Sequence, residues 1–448
     1  MSELRTIVRQ ATPVLVGQLA VMAFGVTDTI VAGRYSQQAL AALSVGSAMF
    51  ITIFVALIGV LQILLPAWAE LHGAGRHEAL GRSVRQSLYL AGVLTVAGFA
   101  ALLFPQPLLD WTEVPAAMQH DVRAYLSSLA LALPAALLFR MYGSLNQALG
   151  KPLLVTWLQA AALALKVPLS IWFAFGGWGI DAHGAVGCGW ASVVVNWLLI
   201  AGAFALLRTQ DLYTPYALWR RMERPDWHAI GHLLRLGIPA GLAVMVEVTS
   251  FTLMALFIAR QGSLALAAHQ IVTNLAAVIY MIPLSIAIAT SARVSYWLGA
   301  GDPKRARRAI RDGLKLAIGT ALAISVTLAL ARYQVAAIYS GSADVIALAG
   351  ALLAWLALYQ IADATQAVCI FILRSYRVVV APLVAYCVLL WGAGLAGGYL
   401  LAYRGMGPWP AMQSPAAFWI MSTVALALLA IALPLILWRA VGQYRPVA

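Results

Sequence analysis

The sequence predicts an all-α polytopic membrane protein of twelve transmembrane helices, built as two pseudo-symmetric six-helix lobes. Three observations carry that expectation. Hydrophobic residues make up 62% of the 448 and charged residues only 10%, with a mean hydropathy of +0.86; a soluble globular domain is excluded. The apolar residues fall into runs that meet the roughly 20 residues needed to cross a bilayer. The chain also repeats itself. A gap-free shift of 226 positions lays Pro13 on Pro239, Arg34 on Arg260, and Ala39-Leu40-Ala41-Ala42 on Ala265-Leu266-Ala267-Ala268. The same shift lays Gly73-Ala74-Gly75 on Gly299-Ala300-Gly301, Arg82 on Arg308, Arg85 on Arg311 and Leu88 on Leu314. Composition explains matching alanines and leucines, but not a Gly-Ala-Gly triplet and arginines in constant register.

The runs lie at about 10–33, 39–69, 84–109, 122–148, 152–176, 184–207, 231–259, 264–298, 313–331, 344–373, 378–402 and 416–438. Six fall in each repeat. This divides the chain into an N-lobe at 1–208, a cytoplasmic linker at 209–230 and a C-lobe at 231–448. Arg5 and Arg9 precede a long apolar run with no small-residue cleavage site, so the first run reads as a span and not a cleaved signal. Cys188, Cys369 and Cys387 have neither metal nor redox spacing and read as small packing residues.

The net charge of +13 would fit a nucleic-acid partner if it were clustered without regard to the spans, but its placement follows them. With an even number of spans, one set of connections holds Arg5, Arg9, Arg76, Arg82, Arg220, Arg221, Arg224 and the dense run from Lys304 to Lys315. The other set holds only Arg34, Arg123, Arg260, Arg332 and Arg404, while Arg140, Lys166 and Arg293 fall within spans. The positive-inside rule places both termini in the cytoplasm. No nucleic-acid partner is expected; the partners are membrane lipid and a transported compound, and the chain is expected to act as a monomer in a bacterial inner membrane.

Taken in order, span 1 carries Asp28 in FGVTDTIVAG. Between spans 2 and 3, GAGRHEALGRSVRQ reads as a glycine turn and a basic amphipathic helix along the anionic inner leaflet, repeated later as GAGDPKRARRAIRDG. His72 and His77 fall in what reads as a solvated loop. Span 5 holds Lys166 beside Pro168. Span 6 opens on HGAVGCGWASVVVN, where Gly184, Gly187, Gly189 and Ser192 allow close helix approach, and Ser192 and Asn196 share a face one turn apart. Thr209 to Gly231 is the one long polar connection, with arginines among aromatics. Trp111, Trp178, Trp227 and Trp438, near run ends, fit interfacial belts.

The stretch from Gly237 to Ile271 sets the functional question, because Glu247 interrupts an apolar run long enough to span. A carboxylate at mid-membrane costs roughly 2.5 to 3.5 kcal/mol on insertion scales, so it faces a bundle interior or an aqueous cavity. Span 8 adds Gln270 and Asn274 at helical spacing. Span 10 adds Tyr359, Asp363 and Gln366 on one face, making Asp363 the third intramembrane acid.

Three buried acids suit a cation-coupled carrier: a carboxylate that binds H⁺ or Na⁺ changes the relative stability of inward-open and outward-open states. Repeated lobes supply the two rocking halves. An integral-membrane enzyme would want paired aspartates with metal spacing or a His/Asp constellation, and a channel would want a ring of repeated charges; neither pattern stands out. A lipid flippase is the remaining alternative, distinguished by a lipid substrate. Lys166, the one intramembrane lysine, should be neutral, pair with Asp28, or snorkel to an interface.

The run PAGLAVMVEVTSFTLMALFIARQGSLALAAHQIVTNLAAVIYMIPLSIAIATSARVSYWLGAGDPKRAR resembles spans 7 and 8 of the multidrug and toxic compound extrusion (MATE) family, on its NorM-like branch. Asp28, Arg140 with Gly150-Lys151-Pro152, and Tyr359 with Asp363 extend the likeness over nearly the whole chain. The resemblance implies two lobes of six helices and efflux of small cationic amphiphiles by antiport against Na⁺ or H⁺. It implies no cofactor beyond that coupling ion, a second-lobe cation site at Glu247, Asp363 and Tyr359 (the place for any Na⁺), and a first-lobe acid at Asp28. Lys166, Ser192, Asn196, Gln270, Asn274 and Gln366 are expected to line the path. Two departures stand out. The branch's Asn-x-Pro-Leu-Asn appears here from Lys166 to Ser170 with both amides lost, and Ile370 and Phe371 stand where the branch tends to have small residues.

Overall fold

The structure, a computed structural model, describes residues 2–106, 115–177, 179 and 181–444; Trp111, Trp178 and Arg445, the last of the basic residues, lie outside the described residues. Among the described residues, twelve helices are long and apolar enough to cross a membrane, as the hydropathy predicts. They are Glu3–Tyr35, Gln37–Gly73, His77–Leu103, Met118–Ala148, Leu153–Phe175, Gly184–Thr209, Trp227–Ala259, Ser263–Gly299, Pro303–Tyr339, Ala343–Ser375, Val380–Tyr403 and Ala416–Gln443, called spans 1 to 12 below. The chain is a multi-pass membrane protein.

The internal repeat is visible in the helix limits. Span 2 begins at Gln37 and span 8 at Ser263, they end at Gly73 and Gly299, and the next helices begin at His77 and Pro303; each pair is 226 residues apart. The turns between them use a left-handed glycine at the same register, Gly75 at φ 68° and Gly301 at φ 71°, a conformation that a Cβ disfavours. Pro13 and Pro239 are both inside helices. Span 2 is interrupted near Gln62, giving Gln37–Leu61 and Leu64–Gly73, whereas its counterpart Ser263–Gly299 runs unbroken.

The basic segments after the two glycine turns are not separate helices lying on the leaflet, as their amphipathic pattern implied. They are the first turns of spans 3 and 9, which begin at His77 and Pro303. The physical reason is that the glycine turn is already complete at Arg76 and Asp302. In the second half Asp302 caps the new helix, its side chain accepting from the Arg305 amide at 2.9 Å, with Pro303 in the first turn. The solvated-loop reading of the histidines also changes. His72 is in the last turn of span 2 and meets the Tyr216 hydroxyl at 3.0 Å through Nδ1, and His77 opens span 3 with its ring edge-on to Tyr216.

By contacts the residues fall into two compact units, one of Val16–Gly241 and one of Leu242–Ala448 together with Met1–Leu15. In the first unit, Gly187 of span 6 lies where a Cβ would strike the Phe173 carbonyl, and Gly189 where it would strike Ser128. These are the close approaches expected of the glycine-rich opening of span 6. Gly237 and Gly241 press on Val60 in the same way.

Residues 209–226 are also held in this first unit, as a strap. The guanidinium of Arg85 donates from Nε to Glu223 Oε2 at 2.9 Å, from its terminal nitrogen to Glu223 Oε1, and to the Ala217 carbonyl at 2.7 Å. Gln86 donates to the Arg224 carbonyl and accepts from the Asp226 amide, at 3.0 and 2.9 Å. Tyr89 donates to the Glu223 carbonyl at 2.9 Å. In the second unit, Arg293 forks onto Glu3 at 3.0 and 3.1 Å, which ties the first turn of span 1 to span 8.

Candidate functional site

Two acidic centres form, one in each unit. In the second unit, span 7 carries Glu247 and span 10 carries Asp363 and Gln366 three residues apart, hence on one helix face. The Gln366 amide bridges the acids: Nε2 donates to Asp363 Oδ1 at 2.9 Å and to Glu247 Oε1 at 3.3 Å. Tyr386 of span 11 donates its hydroxyl to Gln366 Oε1 and so orients the amide with its NH₂ toward the carboxylates. Asp363 and Gln366 are buried, and Glu247 is half-buried.

Glu247 also borders a small cavity of about 20 Å³ with Ser250, Phe251 and Tyr359, room for one water molecule or a bare ion. The Ser250 hydroxyl is buried there without a hydrogen-bond partner among the described residues. Tyr359 is held in an aromatic cluster, edge-on to Trp419 at 5.8 Å and to Phe251 at 6.2 Å.

Span 11 approaches Glu247 through a feature with no counterpart in the hydropathy pattern, a π-helical stretch from Cys387 to Ala396. The wider turn carries Trp391, whose indole donates to the Val246 carbonyl at 3.2 Å, one residue from the acid. Such widened turns recur at functional sites. Two carboxylates sharing one amide in a low-dielectric setting repel each other, and one bound cation or proton relieves that repulsion.

In the first unit, Lys166 of span 5 pairs with Asp28 of span 1, Nζ to Oδ1 at 2.8 Å. An ammonium has three protons to place, and Lys166 has an acceptor for each: Asp28, Ser192 Oγ at 2.7 Å and the Cys188 carbonyl at 3.0 Å. Ser170, where the resembled branch has an amide, donates to Asp28 Oδ1 at 3.0 Å. Lys166 has no exposed surface, and Asp28 is buried. Of the two fates open to Lys166 as a charged group, the pair is the one that forms, and the ammonium does not snorkel.

The other expected residues are less tightly drawn in. Asn196 donates to the Ser192 carbonyl at 2.8 Å and thus sits beside the first centre. Gln270 and Asn274 are exposed on span 8 and take no part in the hydrogen bonds at Glu247. Ile370 and Phe371 are buried in packing on span 10. The pattern of charges did not mark Ser170, Ser250, Tyr386 or Trp391. A hydroxyl or indole inside an apolar run was the available signal for each.

The geometry therefore defines a twelve-span membrane protein with an acid centre in each unit, one paired with an internal ammonium and one bridged by an amide. A family model described as MatE matches residues 13–172 and 239–400, and the chain belongs to that family. It is 41% identical over 418 residues to a probable multidrug resistance protein NorM of Aromatoleum aromaticum, covering 93% of this chain and 89% of the relative. It is 34% identical over 409 residues to the multidrug resistance protein PmpM of Pseudomonas aeruginosa, covering 91% and 85%. Among solved structures, an outward-facing multidrug resistance MATE family transporter superposes with a TM-score of 0.88 at 16% identity, covering 99% of this chain and 98% of that one. A mutant of the Vibrio cholerae MATE transporter VcmN superposes at 0.87 and 18% identity, with the same coverage. At these identities the structural likeness speaks for the fold.

Proposed function

We propose that this chain is a multidrug efflux transporter that exports cationic amphiphilic compounds by antiport, through alternating access of its two units, and that it is not an enzyme. The observation that carries the coupling is the Glu247–Gln366–Asp363 bridge. Its carboxylates are hard oxygen donors, and Glu247, with Tyr359 and a Ser250 hydroxyl that has no partner among the described residues, borders a space the size of an ion. The coupling ion, Na⁺ or H⁺, binds here and is released on the other side, and no other cofactor is needed. Names of the relatives, which include multidrug resistance proteins over nine-tenths of this chain, support the class of cargo.

Asp28 enters this proposal as half of a pair. Lys166 supplies inside the first unit the positive charge that a bound metal ion would bring, so coupling rests on the second unit. Aromatic and methionine side chains offer adaptable contacts to large apolar cations. The chain works as a monomer in a bacterial inner membrane with both termini cytoplasmic, supported by the asymmetry of its basic residues. A lipid-carrying reading has no observation at the centre that favours it.

The test is efflux of a panel of cationic dyes from proteoliposomes, driven in turn by a Na⁺ gradient and by a pH gradient. Saturable export driven by one of them is expected. Gradient-independent flux would overturn the antiport reading, and indifference to the whole panel would overturn the cargo class.

A further inference from the structure

The second unit leaves a groove of about 550 Å³ where the first turns of span 9 run beside the last turns of span 12. Both helices pack on span 10, and between them Ile310, Leu314, Pro434 and Leu437 form an apolar channel edged by Arg307 and Arg439. Both arginines are exposed at this edge. Trp438, also on the groove, is exposed in the way of a residue at the membrane interface. The volume falls in the range of built ligand sites, roughly 300 to 1,000 Å³.

The groove carries two positive charges. In the first turn of span 9, Arg305 meets Asp302 at 3.3 Å. Among the described residues, neither Arg307 nor Arg439 meets a carboxylate. Two guanidiniums with no carboxylate partner among the described residues, beside an apolar channel, repel a cationic amphiphile, so the groove does not suit the proposed cargo. They match a ligand that is anionic at one end and hydrocarbon at the other. A guanidinium fork is shaped for phosphate oxygens, and basic pockets between spans on the positively charged side of a membrane take anionic headgroups.

We propose that this groove is a binding site for an anionic glycerophospholipid of the surrounding membrane. Its phosphate lies between Arg307 and Arg439, and an acyl chain follows Leu314, Pro434 and Leu437. The site is independent of the coupling ion and of the exported compound.

Native mass spectrometry of the full-length protein, offered phosphatidylglycerol and phosphatidylcholine with matched chains, tests it. A basic residue at an anionic surface is worth roughly fivefold in affinity, so the protein is expected to prefer phosphatidylglycerol by roughly tenfold or more. Arg307→Gln with Arg439→Gln should bring the preference close to parity. Leu314→Trp, which fills the channel and keeps both charges, should also remove it. Arg308→Gln with Arg311→Gln takes the same charge from the same helix outside the groove and should leave it in place. The proposal is overturned if the Arg308/Arg311 variant loses as much as the groove variant, since general attraction to the basic face would then suffice. It is equally overturned if Leu314→Trp keeps the preference, or if the unaltered protein shows none, as it would with another part of the chain covering the groove.

Discussion

Lys166 Nζ stands 2.8 Å from Asp28 Oδ1 with no part of the lysine exposed, so the first unit contains a complete ion pair in place of a lone acid. Removing one member of a buried pair typically costs about 3 to 5 kcal/mol, because the other charge is stranded. Asp28→Asn and Lys166→Met should each lower the thermal midpoint of the purified protein markedly. The double variant should recover part of the loss, with a coupling of about 1 to 3 kcal/mol. Simple additivity in the midpoints would contradict the pair.

Under the proposed function, the pair leaves coupling to the second centre. A double variant Asp28→Asn/Lys166→Met removes both charges together, and it should retain gradient-driven efflux in cells if it accumulates in the membrane. Complete loss of efflux in a well-folded double variant would mean that the first unit takes part in coupling.

The strap at 209–226 gives a prediction with a pH sign. The Arg85 guanidinium, donating to both oxygens of Glu223, holds that carboxyl down to about 2, below its usual 4.5. A depressed folded value means that the stabilisation is fully present above about pH 4.5 and is lost as the pH falls through about 2. Glu223 is partly exposed, so solvent screens the pair, and Glu223→Gln should destabilise only modestly, by about 1 kcal/mol. The midpoint difference between the two proteins should hold between pH 7 and 5 and shrink below 4. A difference that vanishes by pH 6, or none at any pH, would contradict the latch.

Much of this was legible in the residues. Span count and repeat depend on local hydropathy and on register, and both survive in the helix limits at Gln37 and Ser263 or His77 and Pro303. Glu247, Asp363 and Asp28 announced themselves because a carboxylate in an apolar run has few innocent explanations. The partners were harder. Tyr386 looks like any aromatic in a span until its hydroxyl is seen on Gln366, and the Cys188 acceptor for Lys166 is a backbone carbonyl, which no side chain signals. The π-helical turn at Cys387–Ala396 has no sequence period of its own. The basic segments after Gly75 and Gly301 misled because a solvated first turn of a spanning helix and a surface helix share one amphipathic pattern.

Tyr386 offers a finer test of the second centre. Tyr386→Phe keeps the ring and removes the hydroxyl that orients Gln366, a loss on the order of 1 kcal/mol for one hydrogen bond. Efflux should slow roughly five- to tenfold and the concentration dependence on the coupling ion should shift, with expression unchanged. An unaltered ion dependence would show that the amide needs no such orientation.

The proposed coupling of export to an ion gradient rests on the Glu247–Gln366–Asp363 bridge. Reconstituted protein carrying Glu247→Gln retains the shape of the side chain and loses only its charge, so it should fold, insert and still bind dye. In proteoliposomes it should show no gradient-driven efflux, whichever ion drives the unaltered protein, and Asp363→Asn should behave alike. Full gradient-driven efflux by a well-inserted Glu247→Gln variant would contradict the account.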